Sequence, residues 1–456
     1  MSAEKLAQAQ AIRAALPEGG LFHEKTWRVS PEAFPLDEKL AGELDKLGYR
    51  LTLFLRACNQ LYRFSVSGRE PAWIADLLDR GKPAALVALQ REKSLAMEMP
   101  AVIRPDLVLT PDGFIIAELD NVPGGIGLTA WLGGIYAQNG SKILGGTDGM
   151  LDGFASVLPG GDIVVSDEAA TYRPEMEWLA AQLNAKHSVL GNWRVLGTGS
   201  REDWQKNVYR FFELFDLDNV PAFAQLREKH LAHELTVTPP FKPALEEKMW
   251  FALFWLKPLE DFWRRELGER AWLALRKVIP YTWLVDPEPL PRHAVLPRLE
   301  MQSWEEVGRL SQKQRALILK ISGFSETAWG SRGVIMAQDV PQKKWQEELQ
   351  RALGEFDTHP HILQQFHQGR LVEHDWLDES SGELRRMRGR VRLCPYYFVG
   401  EKQTVCGGAL ATICPDDKKL LHGMADAILV PASVNPARAA SSQNDTGEQK
   451  KRVISH

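Results

Sequence analysis

The chain has 456 residues, of which 44% are hydrophobic and 25% charged, and its formal net charge is −4. That length suggests two or three domains with a sizeable core, and the mild acidity argues against nucleic acid as a partner. The longest markedly apolar run, residues 249–256, is far too short to cross a bilayer, so no membrane partner is expected. The opening Met1-Ser-Ala-Glu-Lys-Leu lacks the apolar core of a signal peptide. Cys58, Cys394, Cys406 and Cys414 form no CxxC pair, and the expectation is a cytoplasmic protein with reduced thiols.

In chain order, apolar periodicity predicts helices over residues 2–16 and 36–65, and again over 71–97. The next segment is the most informative. Two apolar runs flank Thr110-Pro111-Asp112-Gly113, the pattern of a hairpin with a type I turn and a glycine bulge. A three-residue loop pairs Thr110 with Phe114 and Val108 with Ile116, which sets Asp106 opposite Glu118 and Arg104 opposite Asp120. Cross-strand Cβ atoms lie roughly 5 Å apart, so three carboxylates and one guanidinium would share a patch. Carboxylates that close need a proton, an arginine or a cation among them. Two readings stay open: a salt-bridged surface hairpin, and a site for a hard cation such as Mg²⁺.

After the hairpin, the glycine loop 123–127 opens a helix through Trp131 and Tyr136. Its backbone donors could receive a carboxylate, or its glycines could serve only a tight turn. Strands at 161–166, 187–196 and 208–215 alternate with a helix around 175–183, which predicts a small α/β layer. Residues 236–243 read as a linker. Helical sequence rich in tryptophan (Trp250, Trp255, Trp263, Trp272) follows to Val278, and these rings read as packing. From there to residue 433 the pattern is β-rich, with a helix at 341–356. Residues 435–456 have almost nothing to bury and are expected to be disordered. The expected divisions are 1–149, 150–240, 241–434 and 435–456, in a mixed α/β (α+β) fold whose two lobes enclose a cleft.

A second constellation lies in the β-rich part. Residues 316–321 read as a buried strand ending in Lys320, followed by a loop containing Ser322, Gly323, Gly330, Ser331, Arg332 and Gly333, then a return strand at 334–337. Such a loop can fold over phosphates with exposed N–H donors, the lysine adding a point charge; an ordinary flexible hairpin would look the same. Neither GxxxxGK[ST] nor GxGxxG occurs in the chain. Gln364, Gln365, Phe366 and His367 could form an edge segment that reads a planar heterocycle through its backbone. Arg386, Arg388, Arg390 and Arg392 alternate along a strand, most of them expected to pair with Glu373, Asp375 and Asp378. His359, His361 and His367 prompt a metal-hydrolase reading, but without HExxH spacing they read as loop decoration.

Taken together, RxD at 104–106, a PDG turn, ExD at 118–120 and a Pro-Gly-Gly loop resemble the metal hairpin of circularly permuted ATP-grasp enzymes, of the glutathionylspermidine synthetase type. The hairpin precedes Lys320, the permuted order, and the resemblance runs from Ala101 to Pro431. It implies that Asp106, Glu118 and Asp120 hold Mg²⁺, that Arg104 meets the transferred phosphate or a substrate carboxylate, and that Lys320 contacts ATP phosphates beneath the 322–333 loop. It further implies an adenine hinge at 364–367 and an earlier phosphate lysine at Lys277. Two departures stand out. Asp120 occupies a position that is usually Asn, and the usual late arginine is missing from residues 407–412, leaving Arg392 and Arg332 as candidates to stabilise the γ-phosphate. The implied activity is ADP-forming ligation of a small-molecule carboxylate to an amine (amino acid, peptide or polyamine). An inactive Mg·ATP-binding scaffold and a kinase-like phosphotransferase are the alternatives. The oligomeric state is left open.

Overall fold

A computed structural model describes residues 2–17, 20–21, 26–328, 332–418, 421 and 425–434. The expected disordered tail, 435–456, lies outside the described residues, as do Gly330 and Ser331. The fold is a mixed α/β arrangement built on three sheets. In the largest, strands run in the order Phe34–Leu36, Ile428–Val434, Thr404–Pro415, Glu383–Val399, Val102–Thr110 and Gly113–Asp120, with Leu371–Asp378 pairing the outer half of Glu383–Val399. All its pairings are antiparallel except that of the first two strands. The hairpin is therefore completed by strands from more than 250 residues further along the chain.

A second, antiparallel sheet has the order Val334–Met336, Leu317–Ile321, His361–Gln365, Thr282–Val285. The third is parallel, Trp193–Leu196, Gly161–Val165, Asn207–Phe211, Thr236–Thr238. Its strand Gly161–Val165 is buried along its whole length, as a parallel strand covered on both faces should be. Thr236–Thr238, inside the stretch that reads as a linker, is the edge strand of this sheet.

The long helix Glu38–Val66 starts at Asp37, whose carboxylate accepts from the Leu40 amide at 2.7 Å, and buries a Leu/Phe face against the main sheet. Gly48 is required there, because a Cβ would lie 2.4 Å from the Tyr397 ring. Trp250, Trp263 and Trp272 are buried as packing residues, with Phe54 stacked on Trp263 at 5.5 Å between centroids.

Candidate active site

The hairpin delivers Asp106 opposite Glu118 and Arg104 opposite Asp120, though not by the expected turn. Thr110 pairs with Gly113, so the loop has two residues, and Val108 faces Ile115. The ladder then slips by one at a β-bulge, where Ala117 is the extra residue. The shorter turn and the bulge cancel, and the lower ladder regains the expected register. The bulge also frees the Ala117 carbonyl, which accepts from Lys320 Nζ at 2.7 Å. Lys320 donates to Gln364 Oε1 at 2.9 Å as well, so it links the hairpin's sheet to the second sheet. Burial pulls its pKa down from 10.5 to about 8, against the opposing influence of Glu118.

Asp106, Glu118, Lys320, residues 364–369 and Arg392 line one cleft of about 440 Å³. Ile115, Ile318, Val334, Met336 and Leu421 supply apolar wall. Asp106, only 7% exposed, accepts from Arg104 Nε at 3.1 Å, Arg392 Nη1 at 3.1 Å and the Cys394 thiol at 3.3 Å. Burial alone would raise its pKa, but Arg104 and Arg392 outweigh that and hold it below the usual carboxylate range. Among the described residues Asp120 accepts from Arg104, at 2.8 Å, and from the Val122 amide; burial dominates and its pKa is raised.

Several residues stand elsewhere than the sequence suggests. Arg104 lines neither this cleft nor its neighbour, since its donors are spent on Asp106, Asp120 and the Gly124 carbonyl. Arg332 pairs with Glu168 at 3.3 Å, just past the parallel-sheet strand Gly161–Val165 and outside the cleft lining. Lys277 is exposed in the last turn of helix Glu269–Val278, where a cation suits the helix dipole. Ser322 is fully buried, its hydroxyl bonded to Glu247 and accepting from the Met249 amide, so it anchors the loop. Gly333 packs against Thr327 and Ile321, while Gly323 lines a second cavity. The segment 364–367 is no edge: His361–Gln365 pairs on both sides, and the amides of Gln365 and Phe366 donate to the Tyr281 and Ala316 carbonyls. His367, Gln368 and Gly369, which follow the strand, also line the cleft.

The glycine loop is occupied from within. Glu175, from helix Arg173–Lys186, accepts from the amides of Gly125 at 2.6 Å and Leu128 at 2.9 Å, taking the anion seat of helix Ile126–Gln138. Gly125 adopts φ +86°, and a Cβ there would meet Tyr396 Oη at 2.5 Å. The arginine ladder is largely structural: Arg386 pairs with Asp375 at 2.9 Å and Arg388 with Asp416 at 3.8 Å, while Arg385 instead reaches Asp378.

Sequence reasoning missed Lys248. It follows two glutamates just before helix Trp250–Trp255, with no motif to mark it, yet its Nζ reaches Glu118 at 2.9 Å and the Ala328 carbonyl at 3.0 Å. Burial lowers its pKa, but Glu118 overrides this and the net shift is upward. Lys248 lies in the second cavity, about 70 Å³, with Glu118, Asp120, Asn121, Glu213, Glu246 and loop residues Gly323 to Ala328. Glu213 there is pushed up to about 8 by burial and by Glu246 and Asp120.

For Mg²⁺ the fit is partial. Among the described residues no three His, Cys, Asp or Glu side chains gather into a metal-binding group, so Asp106, Glu118 and Asp120 are not a ready three-carboxylate cage. A nucleotide-borne Mg²⁺ needs only one or two carboxylates beside phosphate oxygens. Glu118 suits that, since Lys248 engages one of its oxygens, and Asp106 is the second carboxylate on the cleft wall.

No protein-family model matches the sequence, and no curated protein matches it. A solved glutathione synthetase like-effector from Globodera pallida superposes over 94% of this chain and 97% of its own, with TM-score 0.55 and 12% identity. The fold is glutathione synthetase-like. At that identity the likeness concerns the fold alone. A candidate gamma-glutamylcysteine synthetase from Methylobacillus flagellatus aligns over 79% of this chain and 83% of its own, at TM-score 0.37 and 10% identity, too distant to carry an argument.

Proposed function

We propose that the protein is an ATP-dependent, ADP-forming ligase that joins a carboxylate to an amine through an acyl phosphate. One observation carries the reading. Residues from separated stretches, among them 106–118, 318–320, 364–369 and 390–392, converge on a single cleft whose lining includes buried Lys320, the carboxylates Asp106 and Glu118, and the arginines Arg390 and Arg392. Phosphoryl transfer asks for positioning and charge neutralisation more than covalent help, and this is the set of charges it needs.

In this reading the apolar walls take the base, backbone beyond Phe366 reads its edge, and Lys320 turns from Ala117 and Gln364 to the phosphates. Glu118 and Asp106 would hold Mg²⁺, which offsets phosphate charge when bound. Arg392 faces the transferred group, in the role left open by the missing late arginine. Arg104 acts through Asp106 and Asp120 as a positioning residue. The 322–333 loop, anchored at Ser322, shields the acyl phosphate from water. The pairing of Asp106, Glu118 and Asp120 each with a lysine or arginine favours one competing reading, a scaffold that binds Mg·ATP without turnover. The test is nucleotide consumption: release of ADP and phosphate that depends on an added acid.

A further inference from the structure

The second cavity shares Glu118 with the main cleft, yet nothing in the nucleotide reading uses it. Four carboxylates line it, and three are matched: Glu118 by Lys248, Asp120 by Arg104 and Glu246 by the fully buried Arg210. Glu213 is the fourth. Among the described residues its carboxylate forms no hydrogen bond or ion pair, and it lies within the influence of Glu246 and Asp120. A second, independent observation sits beside it. Asn121 is 3% exposed and lines the same cavity; its Nδ2 donates to the Leu245 carbonyl, but its Oδ1 has no partner. A buried acceptor without a donor destabilises the fold unless something supplies the hydrogen bond.

We propose that this cavity seats the ammonium group of the amine co-substrate, held by Glu213 and Asn121 Oδ1. The inference rests on the ligase reading for the identity of its ligand. Among the described residues the cavity has one carboxyl group with no cationic partner and one unfilled amide acceptor, which together complement a monocation with several N–H donors. A primary ammonium brings the N–H donors that these acceptors lack, whereas a quaternary one has none to give. A cation between Glu213 and its acidic neighbours also offsets the repulsion that, together with burial, raises the Glu213 pKa. Placement fits the use: the seat adjoins Glu118, at the edge of the cleft where an acyl phosphate would form, and loop residues Gly323, Phe324, Ser325 and Ala328 close its outer wall.

The test is calorimetric titration of the full chain with ethylammonium chloride and, at equal ionic strength, tetramethylammonium chloride. Ethylammonium is expected to bind at least tenfold more tightly. Glu213→Gln is expected to weaken ethylammonium at least tenfold while leaving the melting temperature equal or higher, since the neutral amide keeps the shape of the side chain and sets no charge beside Glu246 and Asp120. Asn121→Ala, which leaves Glu213 in place, should weaken it at least threefold. Equal binding of the two cations, or ethylammonium affinity indifferent to both substitutions, would overturn the proposal. Wild-type response to Mg·ATP is read separately. A chain that binds Mg·ATP but fails the cation test loses the ammonium seat alone, and one that passes the cation test but ignores Mg·ATP keeps the cation seat and loses the ligase reading together with the co-substrate identity drawn from it.

Discussion

Replacing Asp106 by Asn tests the charge balance behind the cleft. Asp106 bridges two guanidiniums, Arg104 at 3.1 Å and Arg392 at 3.1 Å, in a site where it is 7% exposed. Arg104 would survive the loss, because Asp120 at 2.8 Å and the Gly124 carbonyl at 3.0 Å remain. Arg392 would not, because Asp106 is the anion it pairs with and its Nε already lacks a partner. Breaking one side of a buried pair costs about 3–5 kcal/mol; since the Asn oxygen can still accept one bond, the expected loss is near the low end, about 3 kcal/mol. Urea titration of Asp106→Asn, Arg392→Met and the double variant reads it out. If Arg392 is the stranded charge, adding Arg392→Met to Asp106→Asn should cost under about 1 kcal/mol, a strong coupling between the two sites. A loss below about 1 kcal/mol for Asp106→Asn, or strictly additive effects, would refute the reasoning.

Two further outcomes follow from the same chemistry. Lys320 titrates near 8 in the folded chain against 10.5 as its ordinary value, so between those limits the unfolded chain holds a proton that the native one has lost. Stability should therefore rise with pH across that window, by at most about 3 kcal/mol, and Lys320→Met should flatten the rise; parallel pH profiles for the two proteins would contradict it. Glu175→Gln should cost about 2 kcal/mol in unfolding experiments, because a buried carboxylate accepting two amide bonds is replaced by a group that turns a donor toward one of them; unchanged stability would mean the glycine loop is not held from within.

The sequence was most legible where local rules dominate. A three-residue turn, as expected from residues 110–114, would pair Asp106 with Glu118 and Arg104 with Asp120; the same pairing arises instead from a two-residue turn compensated by the Ala117 bulge. A bulge needs a reason from outside the hairpin, here the Lys320 ammonium on the freed carbonyl, and no local pattern contains it. Long-range partners were the part that could not be read. Nothing near Gly125 announces that Glu175, fifty residues on, fills its anion seat. Strand 361–365 reads like an edge because its flanking partners, Thr282–Val285 and Leu317–Ile321, come from stretches that show no sign of adjacency. Lys277 and Lys248 are both lysines beside helices; only the folded chain distinguishes the exposed one from the one on Glu118.

The most direct measurement is product analysis with Mg²⁺, ATP, hydroxylamine and a panel of amino acids, peptides and other small carboxylates. At least one acid is expected to drive release of ADP and phosphate, with a hydroxamate formed in equal amount, and Lys320→Ala should lower that turnover at least tenfold. AMP and pyrophosphate would place the chemistry in another class, and bound ATP with no ADP from any acid would contradict the ligase in favour of the non-catalytic scaffold.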